Sequence, residues 1–81
     1  MIYSAQIRAA RGLLGWSQNE LALAAGLGVS TVKRMEASAS LVQGNGVNIW
    51  RLQEVLIAAG VEFIAPDANT GPGVRLMQTP S

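Results

Sequence analysis

The segment Ser17-Gln18-Asn19-Glu20 constrains this chain more tightly than any other. Ser at the residue before a helix accepts a backbone N–H from the first turn, and Glu three positions on reaches back to the Ser N–H. This reciprocal pair starts a helix at one defined residue. Gly26 ends that helix, because the residue just past a helix end adopts the left-handed conformation and Gly does so without steric cost. Leu21, Ala22 and Ala25 form its inward stripe, with Trp16 before the cap as a hydrophobic staple. A third helix runs from about Val29 to Ala37, with Val32 and Met35 inward, and Leu27 in the turn points the same way. Two short helices joined this tightly must cross at a steep angle, and the small Ala side chains let them approach.

The rest of the chain fits around this pair. Ser4 reads as the N-cap of a first helix ending at Leu14, with Ile7, Ala10 and Leu14 on one face and Gly15 as its stop. Ser38 to Val47 reads as a loop around Gly44-Asn45-Gly46. Asn-Gly is also a hairpin turn, but neither flank shows sustained alternation. Asn48 reads as the cap of a fourth helix to about Ala59, lined by Ile49, Leu52, Val55, Leu56 and Ala59 and stopped by Gly60. The period then changes to two. Val61-Glu62-Phe63-Ile64 and Val74-Arg75-Leu76-Met77 read as strands joined by a connection, Ala65 to Gly73, rich in Pro, Asp, Asn and Gly. This predicts a C-terminal β-hairpin, with fraying expected in the last few residues.

At 81 residues the chain holds one domain. The helical part, 1–60, and the tail, 61–81, belong to the same compact unit. Aromatic residues are 5 % of the chain, so the core must come from Leu, Ile, Val, Ala and Met. There is no Cys and no His. Disulfides, thiol chemistry, the commonest general base and the commonest metal ligand are thereby excluded. The acidic residues Glu20, Glu36, Glu54, Glu62 and Asp67 are scattered over different elements, without acid–base or metal-ligand spacing. Ser30-x-x-Lys33 matches a β-lactamase motif, but no Ser-Asp-Asn or Lys-Thr-Gly accompanies it. Gly26-Leu27-Gly28 follows no strand, so it is no dinucleotide fingerprint. The expectation is a protein without catalysis or cofactor. No apolar run approaches the ~20 residues a membrane span needs. Arg8 and Arg11 interrupt any signal-peptide core, so a cytoplasmic location is expected.

Helix, Gly-bearing turn, helix is the helix-turn-helix order. From Ser4 to Ala59 the sequence resembles the Xre family of lambda-repressor-like and Cro-like DNA-binding domains, through "QIRAARGLLGWSQNELA" and "STVKRME". Ser17-Gln18 match the Ser-Gln that opens the family's second helix. Met35-Glu36 match the apolar-Glu pair ending its recognition helix. Arg11 occupies the basic position of helix one that pairs with that Glu. The tail "AAGVEFI" and "GPGVRL" resembles that of a group of short Xre-type regulators. The resemblance implies a mainly α fold, a four-to-five-helix lambda-repressor-like bundle, here with a short C-terminal β-hairpin. It also implies a phosphate contact by Gln18 and base contacts from the first turns of helix three. Two departures stand out: Gly28 replaces the usual Ser or Thr cap, and Ala37 replaces the usual basic residue after Glu36.

Net charge is only +1, so a DNA-binding role rests on where the cations sit. Lys33 and Arg34 lie together on the third helix, where guanine O6 and N7 would meet them. Val29 suits a thymine methyl, and Ser30 completes the base-reading set. Ser17, Gln18, Asn19 and Thr31, with backbone N–H groups at helix ends, are the expected phosphate contacts. Arg11 and Glu36 are the expected structural ion pair, and Trp16 and Trp50 read as core and rim packing. Val61, Phe63, Val74 and Leu76 give the hairpin one apolar face, expected to pack on the helices, on a second copy, or on both, and these four residues are the expected dimer interface. The resulting expectation is a sequence-specific regulator of double-stranded DNA, a homodimer on an inverted repeat. The alternative is a protein-binding module on the same scaffold, an antitoxin or anti-activator, which the weak net charge and apolar tail favour.

Overall fold

The structure, a computed structural model, describes residues 2–78; the fraying expected in the last residues falls outside that range. Four helices come first: α1 (Ser4–Leu14), α2 (Gln18–Ala25), α3 (Val29–Glu36) and α4 (Gly46–Ala58). Two antiparallel strands follow, β1 (Val61–Ile64) and β2 (Gly73–Leu76). The protein is a mainly helical bundle with a two-stranded hairpin at its C-terminal end.

Both glycine stops act as their sequence implies. Gly15 and Gly26 each have φ near 70°, and their N–H groups return to carbonyls of the last turn of α1 and α2. Two caps differ from the sequence reading. Tyr3, not Ser4, caps α1, and its N–H donates to Gln6 Oε1 at 2.7 Å. Ser4 is buried instead: its hydroxyl donates to the Met35 carbonyl at 2.6 Å, one of the terminal carbonyls α3 leaves without an intrahelical donor. Asn45, not Asn48, caps α4, accepting the Asn48 N–H at 2.8 Å. Both Asn residues are competent caps, and the earlier one prevails because it adds a turn of intrahelical hydrogen bonds.

Residues 38–45 form a loop, and the Asn45-Gly46 pair at its end turns no hairpin but opens α4. The segment pairs with the start of the chain: Tyr3 bridges Leu41, Ser4 N–H donates to Ser40 O, and Val42 N–H donates to Ile2 O. The core gathers Ile7, Leu21, Val32, Met35, Leu52 and Leu56 from all four helices, and Val61 from β1. Methionine and aliphatic chains fill it, as the small aromatic content requires.

The hairpin pairs Val61 with Leu76, Glu62 with Arg75, Phe63 with Val74 and Ile64 with Gly73. β2 thus begins one residue earlier than its alternation suggests, and Met77 lies just beyond it, donating to Gly60 O. The apolar face is turned inward, with α1 beside β2 and α4 beside β1. Val61 is 2 % exposed, and Phe63 and Val74 are half-buried against the core. Of the packings expected for this face, the one on the helices of the same chain is present: they bury Val61, and Leu76 is the member left exposed. Gln6 fastens the arrangement, its Nε2 donating to Ile64 O at 3.1 Å and Gly73 O at 2.9 Å. No helix among the described residues is long and apolar enough to cross a membrane.

Candidate nucleic-acid interface

The start of α2 is set by side-chain chemistry. Ser17 Oγ accepts the Glu20 N–H at 3.0 Å, and Glu20 Oε1 accepts the Ser17 N–H at 2.8 Å. The N–H groups of Gln18 and Asn19, in the first turn of α2, have no acceptor among the described residues, the usual condition of a helix start. The turn then closes through Leu27 N–H to Ala22 O at 2.9 Å. Gly28 opens α3 without a side-chain cap, its carbonyl accepting from Thr31 and Val32.

Helical spacing divides α3 into two faces. Val32, Met35 and Glu36 are buried. Ser30, Lys33, Arg34 and Ala37 are exposed together on the opposite side. Val29 sits at the margin, half-buried against the core, so only part of its side chain faces out. Thr31 is half-buried at the other margin, and its Oγ1 accepts from Arg34 Nη2 at 3.4 Å. Lys33 and Arg34 have no ion-pair partner among the described residues. Their charge is therefore open to solvent or to a ligand.

A network beneath this face fixes its position. Arg11 reaches Glu36 through Nε to Oε2 at 2.7 Å and Nη2 to Oε1 at 2.8 Å. Arg11 Nη1 also donates to Trp16 O at 3.1 Å. Gln18 Nε2 donates to Glu36 Oε1 at 3.1 Å. The hydrogen bonds to Glu36 hold the Arg11 guanidinium above its ordinary pKa, against the opposing effect of burial. One carboxylate thus joins α1, α2 and α3. Trp16 is half-buried in the same region, while Trp50 is largely exposed on α4.

The sequence-selected residues fall into three places. Ser30, Lys33 and Arg34 share the open face, with Val29 and Thr31 on its two margins. Ser17, Gln18 and Asn19 cluster at the α2 start, although Gln18 has one amide hydrogen already engaged by Glu36. Val61, Phe63, Val74 and Leu76 lie apart on the hairpin. Arg8 was given no role by the sequence reading: its guanidinium donates to the Glu36 carbonyl, placing a cation at the negative end of α3. Its position three residues before Arg11, on the same side of α1, was the available signal.

A cationic helix face beside free backbone donors can take phosphate oxygens and the acceptor-rich edge of guanine together. No curated protein and no solved structure matches the chain. A family model described as Helix-turn-helix matches residues 7–41, the span from α1 through α2 and α3, and these residues carry a helix-turn-helix.

Proposed function

We propose that this protein is a cytoplasmic, sequence-specific transcriptional regulator that binds double-stranded DNA as a homodimer, with α3 in the major groove. The observation that carries this reading is the exposed Ser30–Lys33–Arg34 face on the second helix of the helix-turn-helix. In this reading Lys33 and Arg34 donate to guanine O6 and N7, Ser30 bonds a neighbouring base edge, and the outer part of Val29 meets a thymine methyl. Phosphate oxygens on one strand bind at the α2 start. There the first-turn N–H groups of Gln18 and Asn19 are the donors, and the Asn19 side chain and the Ser17 hydroxyl add to them. Thr31 reaches the phosphates from the margin of α3. The Arg11–Glu36 pair has no direct DNA role; it holds α3 at a fixed depth against α1. A two-fold dimer sets two such helices about 34–36 Å apart, so the operator is an inverted repeat.

The test is selection of duplexes from a random library, followed by binding isotherms at low and moderate salt. A selected, palindromic site whose affinity falls steeply with salt supports the reading. No enrichment above a scrambled duplex overturns it. The second reading, a protein-binding module such as an antitoxin or anti-activator, draws on the net charge of +1 and on Leu23, which is 84 % exposed on α2. It is preferred if the selection yields nothing.

A further inference from the structure

α4 carries apolar residues on two opposite sides. Leu52 and Leu56 point into the core. Val47, Trp50 and Ile57 lie on the other side and are 61 %, 62 % and 45 % exposed. Trp50 and Ile57 are two helical turns apart, so their side chains stand nearly in line. This stripe runs on into a groove of about 320 Å³ beside the hairpin, lined by Gln53, Ile57, Val61, Glu62, Phe63 and Met77. A lone exposed Leu needs no explanation, but a Trp in line with an aliphatic row and an apolar groove does.

Two charged residues interrupt the stripe, Arg51 and Glu54, both exposed. Neither has an ion-pair partner among the described residues. One cation and one anion cancel, which disfavours a polyanion or an acidic membrane as the occupant. The pattern is self-complementary in one orientation only. If a second α4 runs antiparallel across a two-fold axis near Leu52 and Gln53, Arg51 of each copy lies opposite Glu54 of the other. Trp50 of each then lies only two residues, about 3 Å along the axis, from the level of Ile57 of the other, within reach of its groove. A parallel pair would set Arg51 against Arg51.

We infer that the exposed side of α4 is the dimer surface of this protein, two copies meeting antiparallel with Trp50 of each seated in the Ile57 groove of the other. The inference rests on the homodimer of the proposed function and gives it a surface different from the hairpin face. Symmetry makes the contact isologous, so each charge pair occurs twice.

Sedimentation equilibrium without DNA tests it. The intact chain self-associates in the micromolar range, and Trp50→Glu is monomeric. Arg51→Glu and Glu54→Arg each weaken association roughly tenfold, and the double reversal restores it, a result that misfolding cannot produce. Leu76→Glu on the hairpin leaves association unchanged. A monomeric intact chain, association of Trp50→Glu equal to the parent, failure of the double reversal to rescue, or dissociation by Leu76→Glu overturns the inference. The DNA-binding reading is judged separately, by binding of monomeric Trp50→Glu to a half-site duplex. Loss of that binding with association of the parent intact counts against the DNA role alone.

Discussion

Arg11 and Glu36 meet through two parallel N–H···O bonds of 2.7 and 2.8 Å, with the Glu36 side chain 3 % exposed and that of Arg11 20 % exposed. The pair joins α1 to the end of α3, and Gln18 adds a bond from α2. Removing the carboxylate strands a guanidinium in a mostly enclosed place. Glu36→Ala is expected to destabilise the protein by about 3 kcal/mol in urea unfolding. Arg11→Lys is expected to recover only part of the parent stability, because an ammonium cannot make the two-pronged contact. A Glu36→Ala midpoint equal to that of the parent contradicts this account.

Lys33 and Arg34 share the open face of α3. If each reads a base, Lys33→Ala and Arg34→Ala lose about 1–3 kcal/mol of affinity for a selected site, with little change for scrambled DNA. A residue that touches phosphate alone weakens both duplexes equally and lowers the salt slope. Fluorescence anisotropy on the two duplexes separates these outcomes, and two variants that both bind as the parent place the reading surface elsewhere.

Gln6 donates to carbonyls of both strands, Ile64 O and Gly73 O. It is 4 % exposed, so these bonds have little competition from water. Gln6→Ala leaves two strand-end carbonyls short of a donor, and the loss is about 1–3 kcal/mol. Amide exchange should accelerate in β1 and β2 before it accelerates in α2 and α3. Uniform acceleration, or none, shows that Gln6 is not what fastens the hairpin.

Asp67 turns the hairpin connection by accepting the N–H groups of Asn69 and Thr70, each at 2.8 Å. The Asn69 N–H foremost, with the Thr70 side chain and N–H, holds its pKa below the ordinary carboxylate value. The sign follows: the turn's contribution is fully present above the unfolded Asp pKa and is lost as pH falls through the lower folded one. Carboxyl and amide NMR shifts of Asp67, Asn69 and Thr70 should titrate together, with a midpoint under the ordinary Asp value of about 3.9. A midpoint at or above that value removes the turn assignment.

Local chemistry decided the helix ends that depend on neighbours in the chain. The Ser17–Glu20 box and the left-handed Gly15 and Gly26 were legible in the sequence because each involves residues within a few positions of one another. So were the inward stripes of α2 and α3, since helical periodicity fixes which side chains point together. Where two local solutions competed, the sequence was ambiguous: Ser4 and Asn48 are good caps, yet Tyr3 and Asn45 hold those places. Ser4 was drawn inward by the Met35 carbonyl, a partner from a different helix that no spacing rule reveals. The same holds for Arg8 on the Glu36 carbonyl and for Gln6 on the hairpin. The hairpin's alternation identified an apolar face but not what covers it, because burial depends on where α1 and α4 lie in three dimensions. Tertiary packing enclosed Val61 and left Trp50 in solvent. Sequence periodicity determines which residues share a side; only the packed chain determines which side has a neighbour.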